Sequence, residues 1–291
     1  MINKIFSTFI VFSALLLFQQ NICALPDTTE KEFITLLKQE KEWRKNNNLP
    51  YIPFPYDTYL ADYPGDAEKT DDIINRYKNF LEKHPYHAEA SRQLAVIFAD
   101  LKNIGLAEQQ WLKTVSLCQN DDKIFNECGI FFSDNFFKPL IASRMFSKAI
   151  KTNPKIADYY SNLAIVYFSG RHVICKEYNW TLQEIFKKIL KLYDKARKLE
   201  PENYIHSRDY AQNFIVADQF KMNPDPIEEL EAWKHCFSTR ATKKELSYIY
   251  LQLARIYRKI NDKNNQKRCL DKSLIYNPNN RIALKMLKDI K

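Results

Sequence analysis

The chain has 291 residues, 45% hydrophobic and 27% charged, and carries a formal net charge of +9. It is apolar enough to bury a core and too charged to lie mostly within a membrane. Only four residues are glycine, Gly65, Gly105, Gly129 and Gly170. They lie too far apart for a Walker loop or a dinucleotide fingerprint, so P-loop and Rossmann enzymes are excluded and an α-rich chain is expected.

The first element reads as a secretory signal peptide over residues 1–24. Lys4 supplies the positive start, Ile5 to Phe18 is an apolar run broken only by Ser7, Thr8 and Ser13, and Ala24 is a small residue suited to precede a cleavage site. The run has 14 residues, short of the ~20 that span a bilayer as a helix. Export to a periplasmic or extracellular space is therefore expected, with no transmembrane segment in the mature chain. Cleavage removes Lys4 and lowers the net charge to +8. The residues before Cys23, Gln20-Asn21-Ile22, lack the pattern of a lipoprotein signal.

Residues 25–69 are expected to hold a charged amphipathic helix, Glu30 to Lys45, followed by an extended Pro/Tyr-rich stretch, Leu49 to Gly65. A helix resumes over Asp71 to Lys83 and stops before Pro85. Beyond it five pentapeptides share one pattern: Leu94 to Phe98, Cys128 to Phe132, Leu163 to Tyr167, Tyr210 to Phe214 and Leu253 to Tyr257. Each has a larger residue, then Ala or Gly, then an aromatic three places on, and their starts are 34, 35, 47 and 43 residues apart. A second landmark places proline at 85, 154, 201 and 278, where a helix must stop. Antiparallel helices packed about 8–10 Å apart need a small side chain at their nearest approach. Ala95, Gly129, Ala164, Ala211 and Ala254 fit that need on first helices. Ala107, Ala142, Ala149, Ala196, Cys236 and Ser273 fit it on second helices.

This pattern resembles the tetratricopeptide repeat family, whose 34-residue helix-turn-helix carries Leu-Gly/Ala-x-x-Tyr in its first helix. Glu245 to Pro278 is the fullest copy, with Tyr250, Leu253, Ala254, Tyr257, Leu270, Ser273 and Pro278 in the family's places. The resemblance implies an all-α fold, a right-handed α-solenoid of antiparallel hairpins over residues 70–291. Repeats are expected near 88–119, 121–154, 157–201, 204–243 and 245–278. A cap over 279–291 would cover the open end through Ile282, Leu284, Met286 and Leu287. Extra residues fall around Gly170 to Thr181, with Tyr178 and Trp180, and around Lys221 to Pro226.

The chemistry-bearing residues form no known catalytic motif, and neither metal nor cofactor is implied. His84 and His87 fall in a turn beside Pro85, where polar residues are expected without a metal. Five cysteines follow the signal peptide, an odd and sparse set that does not make a disulfide framework; Cys118 and Cys128 are the pair closest to meeting. Family resemblance implies a non-catalytic scaffold that binds a protein or peptide along its first helices. Carried over, the candidate groove residues are Arg92, Val96, Asn126, Ile130, Ser161, Ile165, Arg208, Gln212, Leu251 and Arg255, with Arg258 and Lys259 one turn on. Its floor would be apolar in the first three repeats and basic in the last two, which suits an acidic or amphipathic peptide. Two other functions fit parts of the sequence, a nucleic-acid-binding helical repeat and an α-helical hydrolase of envelope polymers. A nucleic-acid partner is not expected, because the basic excess is taken as spread along an exported chain without a continuous tract.

Overall fold

A computed structural model describes residues 27–46, 67–118, 120–134 and 137–290. The signal peptide and the Pro/Tyr-rich stretch lie outside these residues. Fourteen α-helices and two short 3-10 turns account for the regular structure among the described residues, with no strands. The chain divides into two compact units, residues 1–118 and 119–291.

In the first unit, α1 (Asp27–Asn46) packs on α2 (Ala67–Lys83), α2 on α3 (Ala88–Asp100), and α3 on α4 (Ile104–Leu117). The N-terminal helix is therefore part of the packed unit. Phe33 of α1 lies 5.8 Å from Phe80 of α2 and 4.5 Å from the ring of His87, at the start of α3. A buried polar knot fixes the three helices. Arg44 donates to Glu40 and to Asp100, both at 2.7 Å, and the Tyr77 hydroxyl donates to Glu40. Ser91 and Thr114 exchange a hydrogen bond of 2.8 Å between α3 and α4.

The second unit runs α5 (Asp122–Asp134), α6 (Pro139–Thr152), α7 (Ala157–Ser169), α8 (Arg171–Tyr178), α9 (Leu182–Leu199), α10 (Tyr204–Ile215), α11 (Pro226–His235), α12 (Lys243–Lys259), α13 (Lys263–Tyr276) and α14 (Arg281–Lys288). Each long helix packs on the next, α7 packs on α9 past the short α8, and α5 touches α7. Contacts between near neighbours are what a stack of helical hairpins requires.

The small residues sit where the spacing places them. Ala95, Ala164, Ala211 and Ala254 on first helices are fully buried, as are Ala107, Ala142, Ala149, Ala196 and Ser273 on second helices and Cys236 in the 3-10 turn that follows α11. At Gly129 an added Cβ would stand 2.7–2.9 Å from the ring of Phe146, so even alanine would force that buried ring to shift. The aromatics one turn on are less uniform. Phe98, Phe132 and Phe214 are buried, whereas Tyr167 and Tyr257 are only half-buried.

The extra residues of the third repeat form α8, which buries Ile174 and ends on Asn179 in the left-handed region, φ 52°. Trp180 packs against Tyr167 at 5.8 Å, stacks on Tyr178 at 4.9 Å and lies under the Lys188 ammonium at 4.2 Å. It is a packing residue of the insertion. The extra residues of the fourth repeat, around Lys221 to Pro226, follow a 3-10 turn, Ala217–Phe220, and lead into a helix start capped by Asp225 with Pro226 at the first position. The cap helix α14 buries Ala283 and Met286. Ile282 and Leu284, expected to cover the end of the stack, stand 49% and 41% exposed instead. Residues 283 and 286 share one helical face and 282 and 284 flank it, so a single residue of register separates cover from exposure.

Candidate functional site

On the second unit, α7, α9, α10 and α12 enclose a pocket of about 480 Å³, within the usual range for ligand sites. Ile165 and Phe168 of α7 with Ile215 of α10 and Val216 just after it give it an apolar side. Asp209 and Gln212 of α10 with Tyr248 and Arg255 of α12 give it a polar one, and Tyr193 of α9 reaches in from behind. Consecutive first helices thus supply one wall each. Ile165 is 46% exposed, a large aliphatic side chain left open beside the pocket.

Hydrogen bonds set the polar side. Gln212 Nε2 donates to the Tyr248 hydroxyl at 3.1 Å, tying α10 to α12. Tyr248 is braced edge-on by Trp233 at 5.6 Å. The Arg255 guanidinium donates to Gln252 at 3.2 Å, a neutral partner that leaves its charge uncompensated. Arg208 differs. Its guanidinium makes two bonds to one oxygen of Asp209, 2.8 and 2.6 Å, so its charge is largely neutralised within the chain. Burial works against that charge, but the Asp209 carboxylate outweighs it and raises the arginine above its ordinary range. Burial, with Asp209 adding to it, likewise pushes the Tyr193 phenol up, so it stays protonated as a donor.

The residues singled out from the sequence fall into three groups. Ile165, Gln212 and Arg255 line the pocket. Several others are held in helix packing: Val96 and Leu251 are buried, Asn126 accepts from Asn162 at 3.0 Å, and Ser161 meets His206 Nδ1 at 3.0 Å. His206 Nε2 stands 3.3 Å from Glu200 and 3.6 Å from Asp158 without a hydrogen bond to either. Arg92, in the first unit, is 9% exposed and bonds Glu89 at 2.9 Å; Ile130 is half-buried. Lys259 pairs with the buried Glu229 at 2.8 Å, and Arg258 is exposed. The expected basic floor of the last two repeats is accordingly reduced to Arg255.

Phe168, Tyr193, Asp209, Asn213, Ile215, Val216 and Tyr248 also line the pocket and were not singled out from the sequence. Phe168, Ile215 and Val216 lie three or four places beyond Ile165 and Gln212, and Tyr248 lies seven before Arg255. Extending each face by one or two turns finds them. Asp209, three places before Gln212, is found the same way, whereas Asn213 and Tyr193 carry no such mark.

Comparison with solved structures decides the fold. A Pseudomonas aeruginosa PilF structure aligns with a TM-score of 0.54 at 11% identity, over 90% of this chain and all of PilF. YrrB, described as a TPR protein with an unusual peptide-binding site, aligns with a TM-score of 0.53 at 15% identity, over 73% of this chain and 97% of its own. The fold is that of the tetratricopeptide repeats. PilW, a type IV pilus biogenesis factor, also has this fold, with a TM-score of 0.51 at 12% identity over 90% of this chain and all of PilW. No protein-family model and no curated protein matches the sequence. In tetratricopeptide terms α3–α4, α5–α6, α7–α9, α10–α11 and α12–α13 are the five hairpins. The third is interrupted by α8, and the pocket lies on the first helices of the third to fifth.

Proposed function

We propose that this chain is an exported, non-catalytic scaffold that holds an extended or helical peptide of a partner protein against the first helices of its second unit, in the service of cell-envelope assembly. The observation that carries the reading is the pocket itself. An open aliphatic side, Ile165 with Phe168, Ile215 and Val216, faces an arginine whose charge is unspent. A peptide bearing an apolar side chain and a carboxylate a turn apart satisfies both, because arginine and carboxylate form charge-assisted, bidentate hydrogen bonds. Asp209, the one carboxylate of the pocket, is tied to Arg208. It therefore sets register instead of serving as an acid or base. The description of YrrB as a peptide binder and of PilW as a pilus biogenesis factor supports an interaction role in an envelope setting. Export rests on the basic residue, apolar run and small residue at the start of the sequence.

Fluorescence anisotropy with a panel of labelled peptides tests the assignment. Peptides pairing Glu or Asp with Leu or Phe one turn apart should bind tighter than versions with Lys in place of the acid. Arg255→Glu should weaken them about tenfold or more, the scale of a lost charged hydrogen bond. Indifference to peptide charge, together with unchanged binding by Arg255→Glu, would remove this groove as the site.

A further inference from the structure

The positive charge of this protein is not spread along it. Residues 243–291 hold 13 Lys and Arg against four Asp and Glu, a net +9, while residues 1–242 hold 31 of each sign and balance. The expectation of a dispersed excess is therefore corrected, because the whole net charge of the chain resides in α12, α13 and α14. Folding turns that segment outward. Lys263, Lys267, Arg268 and Lys272 of α13 are exposed, as are Arg281, Lys285 and Lys288 of α14. Among these, Lys267 alone has an ion pair among the described residues, to Asp271 at 3.8 Å.

Aliphatic side chains stand among the cations. Ile275 at the end of α13 is 74% exposed, and Ile282 and Leu284 of α14 are the two left outside the cap. Nothing in the fold of the unit covers them. On α14, Leu284 shares its outward face with Arg281, Lys285 and Lys288.

We infer that this C-terminal end, α13 and α14, is a docking surface for an anionic lipid bilayer, distinct from the pocket of the second unit. Three observations favour a bilayer over other anionic partners. Five of the seven exposed cations of α13 and α14 are lysines, which act as point charges toward a diffuse negative layer and do not offer the bidentate fork that reads phosphodiesters or single carboxylates. Exposed Ile and Leu between lysines supply the second, apolar contribution that stable surface attachment requires alongside charge. Stacking platforms for bases are scarce here, since the Tyr276 ring is already stacked on Tyr250 at 5.8 Å. No helix among the described residues is long and apolar enough to cross a membrane, so the attachment is one of surface contact.

The full chain should be floated with vesicles of phosphatidylcholine alone and of phosphatidylcholine with a third phosphatidylglycerol. The readout is the ratio between the two, since the apolar N-terminal run contributes to both. Binding to the anionic vesicles should exceed neutral binding about tenfold or more and fall as salt rises from 50 to 500 mM, with each neutralised cation costing about fivefold. A Lys267→Glu/Arg268→Glu/Arg281→Glu/Lys285→Glu variant should bring the ratio near one. Reversal of four exposed lysines elsewhere, Lys148, Lys155, Lys195 and Lys244, should leave most of it. Ile282→Ser/Leu284→Ser should weaken binding at every salt concentration. All these side chains are exposed, and a thermal melt checks that each variant is folded. A ratio near one for the wild type, a reversed α13–α14 surface that still selects anionic vesicles, or salt-dependent capture of RNA or polyglutamate without capture of anionic vesicles would overturn the inference. Failure here leaves peptide binding at Arg255 untouched, because the two surfaces share no residue.

Discussion

Ala164 shows how one side chain can fix a packing distance. It is fully buried on α7, a helix packed on both α6 and α9, and any larger side chain must push one of them away. Ala164→Leu should cost about 1–3 kcal/mol through overpacking, read as a lowered midpoint in urea unfolding; an unchanged midpoint would mean that the crossing is not where the spacing puts it. Tyr167, three places on, is half-buried, so its truncation should cost less than the ~3–5 kcal/mol of a fully buried aromatic. The small-residue register was legible because close helix crossings leave no alternative to Ala, Gly, Ser or Cys. Arg208 was not legible in the same way. Neighbours in sequence do not usually face each other on a helix, so nothing in the order Arg208-Asp209 announces that the pair neutralises itself.

Caps and turns carry the argument at the scale of elements. His87 caps α3, its Nδ1 accepting from the amide of Ala90 at 3.1 Å, while its ring lies against Phe33 and Phe80. The cap requires the unprotonated nitrogen. Burial among those rings is the main reason the imidazole is held below its ordinary value near 6.5. The unfolded chain therefore binds the proton more readily than the folded one. Stability from this residue is present above about pH 6.5 and is lost as pH falls through the lower folded value. Hydrogen exchange of α3 should accelerate as pH falls below about 6.5, once corrected for intrinsic rates. His87→Asn, which can also cap, should remove most of that acceleration; an identical pH profile in the variant would assign it elsewhere. The turn at His84 to His87 was legible from its proline. The capping role was not, since it depends on the backbone angle at which the chain enters α3.

The two compact units matter at the scale of the molecule. The second has its own cores, one joining α10 to α14 around Trp233, Leu253 and Leu270, another formed by Ala157, Tyr160 and Ala196 between α7 and α9. Because hairpins in such stacks contact near neighbours, a unit with its own core needs no distant partner. A fragment of residues 119–291 should show helical circular dichroism and a cooperative melt, and should retain the affinity of the full chain for acidic peptides. A non-cooperative melt would show that its first hairpin depends on the preceding unit. The first unit depends on long-range polar contacts that no local pattern reveals. Glu40 and Arg44 form a readable pair at i,i+4, but Asp100, which completes the knot, lies 56 residues further on.

By itself the sequence determined that this protein is built of helical hairpins and which small residues are buried in their packing. Those features follow from short-range rules of spacing, capping and chain stiffness, which act within a few turns of helix. Tertiary structure alone decided which of the candidate groove residues remain open, that Arg208 and Lys259 are paired with carboxylates while Arg255 bonds only the neutral Gln252, and that Ile282 and Leu284 face outward among the cations of α14. Exposure and charge pairing depend on which helices come to lie side by side, and those neighbours can be tens of residues away in the chain.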